Sequence, residues 1–435
     1  GYSRSRPTAL EVAPDSIRVC DLRDLESPGR IAFSVSDAAG GTPLDARITI
    51  SSGEQPLVEF LGRRTFFTAL EPRGRTEVTL APGAYRFAIN AGGGFLARPA
   101  ELSVTVQPGE LAHGEVKITR LFDPPAHGWY AADLHHHADQ AEAVTPPEDL
   151  ARSQLAAGLD LLFVSDHDSM ANHAALAALA ARRHIPFVPG IELSPSWGHF
   201  NAYPINPGAQ LAIDTSTASI GEVLAEARRE GASVVQVNHP YIPFGYFTSL
   251  DKGVAPGGFN PGFDLMEINA GAPQDDDKVL AKLWEFWNQG RHYYLSAGSD
   301  THDVWNEQSG QVRVFVHPHG VLTSASFVSA LKAGHAYVSH GPLVFPQYAP
   351  GTLRVAPGAP LRLSAVVASV AGLKQVQLVG DGRVVEERSL PEAPLEARVE
   401  FTRGVPEAHW YALTVEDREG RKAYTDPYWV SPEKK

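Results

Sequence analysis

The sequence predicts an α/β protein in three parts, a closed barrel of alternating strands and helices set between two small all-β sandwiches. Three observations predict it. Residues 1–122 carry short alternating runs separated by Gly, Pro and Asp turns. From Trp129 onward, near-continuous apolar strands alternate with amphipathic helices, the pattern of a sheet covered by helices. Past residue 346 the short alternating strands return. The expected domains are therefore 1–122, 123–346 and 347–435.

In the first domain "RIAFSVSD", "ARITISS", "TEVTLAPGAYRFAINA" and "AELSVTVQPG" have strand-and-turn spacing. "NAGGGFLA" (90–97) is expected to be a flexible hairpin tip, since nothing like a phosphate loop follows it. "FDPPAHG" (122–128) has the composition of a linker. In the second domain "WYAADLHHH" is a strand and "PPEDLARSQLAAGL" a helix with proline in its first turn. "DLLFVSDHD", "IPFVPGIELS", "GHFNAYPI", "ASVVQVNHP", "FDLMEINAG" and "HYYLSAGSDTHD" are strands, with "ANHAALAALAARRH", "SIGEVLAEARREG" and "DDDKVLAKLWEFWNQG" as helices between them. About seven strands in roughly 200 residues predict a barrel closed on itself. In the third domain "LRLSAVVAS", "KQVQLVGDGRVVEE", "EARVEFTR" and "HWYALTVEDREG" predict the second sandwich.

Composition limits the function. A chain of 435 residues with 43% hydrophobic and 20% charged residues can build several cores. Its net charge of −13, without any run of Lys or Arg, repels phosphate backbones and anionic lipid, so nucleic acid and membrane surfaces are not expected partners. The single cysteine, Cys20, excludes an internal disulfide framework and a cysteine zinc finger. No apolar run reaches the roughly 20 residues needed to span a bilayer. The chain starts at Gly1 rather than Met. A leader removed by signal peptidase is one explanation and preparation of the chain the other; the expectation is a periplasmic or secreted protein, otherwise a cytoplasmic one. Oligomeric state leaves no mark in the sequence.

The chemistry gathers at strand ends. His135 and His137 end the first strand of the second domain, Asp166 and His167 the next, and Glu192 the third; His199 opens a fourth. His239, then Asp300 and His302, end later strands. In a barrel that rim is where chemistry is built. Imidazoles and carboxylates without cysteine suit zinc, manganese or iron. Residues two apart on a strand point the same way, so His135 with His137, and Asp300 with His302, can each face one ion. His136 then supports the ligands from behind or is exposed. His173 and His184 are expected to be solvated, and Asp133 and Asp168 to orient ligand histidines. Asp275, Asp276 and Asp277 favour the positive end of the following helix.

In this order, "DLHHH", "VSDHD", "GIELS", "GHF", "NHP" and "GSDTH" resemble the PHP (polymerase and histidinol phosphatase) family. The resemblance covers residues 129–345. It implies a distorted (β/α)7, TIM-like barrel that holds one to three divalent ions and hydrolyses phosphoesters. The leading sandwich resembles a carboxypeptidase-regulatory-like domain. "ALKAGHAYVSHGP" and the closing "YALTVEDREGRKAYTDPYWV" are similar to the carbaryl-hydrolase-like branch, which also includes enzymes acting on uncharged esters or carbamates. Carried over by position, His135, His137, Glu192 and Asp300 hold a first metal, and Glu192, His199 and His239 a second, with Glu192 bridging. His167 and His302 hold a third together with Glu142 or Asp139. Here the chain departs from the family, whose "SDG" element is missing from "HADQAEAVTPPE".

Two ions sharing a carboxylate make metal-bound hydroxide available as the nucleophile, with Glu192, Asp300, His302 and His167 as the catalytic group. His302, His167 or Asp166 can protonate the leaving group if the third ion is absent. No G-x-S-x-G or H-E-x-x-H element offers an alternative nucleophile or zinc helix. No Arg or Lys flanks a ligand, whereas Trp197, Tyr241, Phe244 and Tyr246 do lie nearby in sequence. The expected substrate is therefore a small phosphoester, a diester before a monoester, or an uncharged aryl ester or carbamate. Lys252 and distant loops remain possible cationic contributors. The stretch 241–263 is either a lid over the pocket or a structural loop. The rival reading is an inactive metal- or carbohydrate-binding surface protein.

Overall fold

The structure, a computed structural model, describes residues 8–21, 23–53, 63–355, 360–404 and 408–432. The chain forms two compact units: Gly1–Ala91 with Arg98–Thr119, and Gly92–Ala97 with Arg120–Lys435.

In the first unit, strand Gly29–Asp37 lies between Arg75–Leu80 and Leu111–Ile118. A second sheet orders Thr65–Phe67, Arg47–Ser52, Gly83–Asn90 and Ala100–Val106. Burial alternates along these strands because successive side chains face opposite sides of a sheet. The buried faces meet where Phe33 packs edge-on against Phe87, ring centroids 5.1 Å apart.

The second unit departs from the predicted closed parallel barrel. Between Tyr130 and Ser339 its strands pair in three arcs. Leu162–Val164 pairs parallel with Phe187–Pro189. Five strands follow in order: Ile191–Leu193, Phe200–Tyr203, Val234–Val237, Leu265–Asn269 and Tyr294–Gly298. The first two pairings of this sheet are antiparallel and the last two parallel. The third arc joins Tyr130–Ala132, Arg313–Val316 and Ala336–Ser339, all antiparallel. The antiparallel turns arise because strands such as Ile191–Leu193 and Phe200–Tyr203 are joined by a short loop with no helix to carry the chain back. Single bridges link the arcs, His167 to Glu192 and His136 to Thr301, so the arcs meet at residues of the rim. Among the described residues, six α-helices cover the unit, including Pro147–Ala156, His173–Arg183, Ile220–Arg229 and Asp276–Asn288. Ile220–Arg229 begins with a capping box, Ser219 accepting from the Glu222 N–H, and buries Ile220, Val223, Leu224 and Ala227.

The C-terminal strands belong to this same unit. Lys422–Thr425 pairs with Ala336–Ser339, so strands on both sides of residue 346 share one sheet. A smaller sheet of Leu343–Pro346, Leu361–Ala368 and Glu396–Arg403 lies beside it. The glycine cluster at 90–97 is a correction. It is no free hairpin tip: Gly92 N–H donates to Ala156 O, and Phe95 is buried under the Arg313 guanidinium, 3.8 Å from its ring. A Cβ at Gly93 would collide with that guanidinium, which is why small residues precede Phe95.

Candidate metal centre

Glu192 sits at the middle of the histidines, fully buried on its three-residue strand. Its Oε1 lies 3.1 Å from His135 Nε2, 3.2 Å from His199 Nδ1 and 3.7 Å from His239 Nε2. Its Oε2 lies 2.7 Å from His167 Nδ1 and 3.6 Å from His137 Nε2. Asp300 closes the other side, its Oδ1 3.1 Å from both His135 Nε2 and His137 Nε2. Four groups of three have ligand atoms close enough to share an ion: His135, His137 and Asp300; His135, Glu192 and His239; His167, Glu192 and His199; and His137, His167 and His302. All of the predicted ligands except Glu142 thus fall in at least one group. The partition differs from the carried-over one, because His199 groups with His167 rather than His239, and His137 reaches into the third group.

Glu142 and Asp139 separate clearly. Glu142 Oε1 stands 3.1 Å from His167 Nε2 and 3.6 Å from His302 Nε2, on a side chain that is 66% exposed. Asp139 instead accepts from Asn172 Nδ2 at 3.0 Å, away from those histidines. Asp166 also faces elsewhere, accepting from the Ala138 N–H and Asn172 Nδ2, both at 2.7 Å.

The strand-alternation argument holds only loosely. The first strand ends at Ala132 and the last at Gly298, so His135, His137, Asp300 and His302 all lie beyond strand ends. Asp300 (φ 57°) and His239 (φ 24°) sit in the left-handed region, where a non-glycine residue is strained, and the turns they make aim their side chains inward. His136 is not exposed. It is fully buried, with Nε2 3.4 Å from Asp133 Oδ2 and 3.3 Å from Ser299 Oγ. Asp133 accepts from the N–H groups of His135, Ser299 and Gly310, so it fixes the loop that carries the ligands. Asp168 accepts from Thr215 Oγ1 and the Ser194 N–H. His173 is also tied down, its Nε2 2.8 Å from Gly190 O, whereas His184 is exposed. Asp276 pairs with His340 at 2.8 Å in addition to starting its helix, and Asp275 pairs with Lys278.

Glu267 was not singled out by the sequence. It is fully buried at the centre of Leu265–Asn269, and its Oε1 lies 2.8 Å from His135 Nδ1. A carboxylate inside the apolar run "DLMEIN" is the signal that could have found it. Asn238, beside His239, donates to Glu192 Oε1 at 2.7 Å, and Ser194 Oγ lies 2.7 Å from His167 Nδ1. Such partners orient a ligand's free nitrogen or oxygen.

The electrostatics separate the histidines. Burial pushes the His137 imidazole down to about 3 and His239 to about 4, so both stay neutral, the form that donates a lone pair. Burial opposes charge on His135 as well, but Asp300, Glu267 and Glu192 together raise it well above the usual histidine value. Glu192 and Asp300, despite burial, are held below the usual carboxylate range, chiefly by His135.

These residues fit a divalent cation. A ring nitrogen carries one proton, and His167 Nδ1 has both Ser194 Oγ and Glu192 Oε2 at 2.7 Å. Glu192 Oε2 and His199 Nδ1 have these close neighbours but no hydrogen bond of proper geometry, and the buried Nδ1 of His239 has no hydrogen-bond partner. Orphaned donors and acceptors of this kind are costly unless something else satisfies them, and a mixed imidazole–carboxylate set is what zinc, manganese or iron takes.

The aromatic neighbourhood contracts to one residue. Trp197 and Tyr246 are buried in the main core, Trp197 donating to Ala218 O and Tyr246 to Gly258 O. Tyr241 packs against Phe247. Phe244 alone of the four is exposed, at 45%, with its ring 5.3 Å from that of His199 and 5.8 Å from that of His239. Lys252 donates to Pro243 O, and among the described residues it forms no ion pair with a rim carboxylate. Within 241–263 the helix Tyr246–Asp251 is ordered.

No family model matches the chain. Over 106 residues it is 37% identical to the 3',5'-nucleoside bisphosphate phosphatase of Chromobacterium violaceum, covering 23% of this chain and 37% of that one. Part of this chain is similar to a phosphatase. The match spans little more than a third of that relative's length. Among solved structures, a two-domain protein from Bacteroides vulgatus containing a predicted PHP-like metal-dependent phosphoesterase aligns at 13% identity and a TM-score of 0.41, over 69% of this chain and 95% of that one. An amidohydrolase from Chromobacterium violaceum, with bound sulfate and no metal, aligns at 18% identity and a TM-score of 0.32, over 41% and 89% respectively.

Proposed function

We propose that the chain is a PHP-like metal-dependent phosphoesterase. The observation that carries this is the position of Glu192, one buried carboxylate whose two oxygens face five histidines. Similarity to a nucleoside bisphosphate phosphatase supports the same reading. Divalent ions held by Glu192, Asp300 and the surrounding histidines would lower the pKa of water and stabilise negative charge on the ester oxygens.

The chain's own residues do the rest. His135, His199 and His239 present ring nitrogens to Oε1 of Glu192, His137 and His167 to Oε2, and Asp300 faces His135 and His137. Glu267 and Asn238 hold His135 and Glu192 in orientation. His302, with Nδ1 2.8 Å from Asp300 O, has Nε2 on the more open side near Glu142. It is placed to bind there or to hand a proton to the departing oxygen as the phosphorus–oxygen bond breaks. Phe244 offers an apolar face beside His199 for a ring on the substrate.

Among the described residues, no Arg or Lys pairs with any carboxylate of the rim, so a dianionic monoester would depend on the ions alone. The preferred substrate in this reading is a phosphodiester with a flat leaving group. A phosphomonoester is the second reading, favoured by the activity for which the relative is named. The aryl ester and carbamate chemistry of the carbaryl-hydrolase-like branch is a third. Hydrolysis of bis(p-nitrophenyl) phosphate, p-nitrophenyl phosphate and p-nitrophenyl acetate, each with added manganese or zinc and with chelator, separates them. The diester should have the highest kcat/KM. A clear preference for the monoester would overturn the diester reading, and hydrolysis of the acetate alone would overturn the phosphoesterase.

A further inference from the structure

A second group of histidines lies away from Glu192. Strand Arg313–Val316 runs out through His317, Pro318 and His319, and strand Ala336–Ser339 is entered through His335. These strands pair antiparallel with Val316 opposite Ala336, and the His317 N–H donates to His335 O at 2.9 Å. His317 and His335 are therefore cross-strand neighbours whose side chains leave the same face. His319 follows two residues later, where the chain bends after the strand has ended. Its ring meets that of His335 edge to face, centroids 5.3 Å apart.

The location is the far end of the sheet from the rim. Arg313–Val316 is antiparallel to Tyr130–Ala132, with Val316 opposite Tyr130, so it reaches His317 on the side away from His135. The Trp129 ring packs 5.2 Å from that of His317, and a Cβ at Gly128 would stand 3.1 Å from His317 Nε2. Gly351 backs the His335 ring in the same way.

No carboxylate pairs with these rings among the described residues, and His335 Nδ1 is buried without a hydrogen-bond partner. Burial, aided by the neighbouring imidazoles, lowers His317 and His335 from the usual histidine value, which favours the neutral, lone-pair-donating form. The unpartnered His335 nitrogen, in a cluster of imidazoles without an acid partner, suits a cation that prefers nitrogen.

We propose that His317, His319 and His335 form a separate binding site for a borderline divalent cation, zinc or copper, held by imidazole nitrogen. The ring nitrogens of the three are less closely grouped than those of the rim, and His319, the exposed member, would have to turn to close on the ion. Bound there, the ion would tie the exit of one strand to the entry of its partner.

The test uses the full-length protein, dialysed against zinc and then against metal-free buffer, with zinc counted by elemental analysis. The wild type should hold about one ion per chain more than either His319→Asn or His335→Asn. The extra ion should persist in Glu192→Gln, whose loss falls at the rim. Hydrolytic activity of His319→Asn should equal that of the wild type. Because His319 is exposed, its replacement does not depend on the core to fold. Equal zinc in wild type and His319→Asn would overturn the proposal, as would loss of the extra ion in Glu192→Gln.

Discussion

At Glu192 a single carboxylate satisfies histidines from several strand ends, so its charge is shared where theirs is not. Replacing it by glutamine keeps the shape and removes the charge. Glu192→Gln should lower kcat by about a hundredfold or more, beyond any single histidine change in the cluster. Near wild-type turnover at saturating metal would refute the shared-carboxylate arrangement. Glu267 acts one step back, through His135. Glu267→Gln should weaken metal binding by about 10- to 100-fold while turnover at saturating metal stays close to normal. Equilibrium dialysis with manganese, alongside kcat at high metal, distinguishes this from a direct catalytic role. Phe244→Ala should cost an aryl diester about 1–3 kcal/mol in kcat/KM and leave a methyl diester nearly unchanged. Equal losses for both substrates would remove Phe244 from substrate contact.

At the scale of elements, the site is a ring of strand exits. His135 and His137 come from the segment after Tyr130–Ala132, His239 from the end of Val234–Val237, and Asp300 and His302 from the end of Tyr294–Gly298. His135→Ala with His137→Ala should remove at least one metal ion per chain while far-ultraviolet circular dichroism is unchanged, since neither residue pairs in a strand. Unaltered metal content in that double variant would show that this segment does not hold the ion. The strands were legible because runs such as "RIAFSVSD" and "ASVVQVNHP" bury a face with period two or bury both faces. Their pairing was not, because direction depends on loop length and on which neighbour an edge meets. Ile191–Leu193 turns back antiparallel on Phe200–Tyr203 across a loop that the strand pattern does not specify.

Across the whole molecule, acids outside the rim contribute to the pH response, with a sign opposite to that of the buried rim histidines His137 and His239. Asp426 is fully buried, Oδ1 accepting from the Leu295 N–H at 2.8 Å and Oδ2 without a partner. Burial raises its carboxyl well above the usual range. Asp160, accepting from the Ala131 N–H, is pushed up to about 7, again by burial. A raised acid keeps its proton in the folded chain after the unfolded chain has lost it. Its stabilising contribution is therefore complete below about pH 4 and declines as pH rises toward the folded value. The contribution of each such group should fall as pH rises above about 4, against the buried His137 and His239, whose contributions rise as pH climbs toward the usual histidine value. Asp426→Asn should flatten that slope relative to wild type, measured as unfolding free energy against pH. An identical slope in both would mean that Asp426 is ionised in the fold.

The sequence by itself determined which segments become strands and helices, because burial imposes a local periodicity on them. It also determined which residues ring the rim, because imidazole and carboxylate at the ends of apolar strands are conspicuous where they fall. Tertiary structure decided what is not periodic: the three arcs in place of one closed parallel barrel, and the anchoring of "NAGGGFLA" by Phe95 beneath Arg313. It also set Glu142 rather than Asp139 beside His167, buried Trp197 and Tyr246 while leaving Phe244 open, and turned Glu267 onto His135. Each of these depends on a contact between residues far apart in the chain, or on a backbone angle such as that of Asp300, and neither leaves a repeating trace in the order of amino acids.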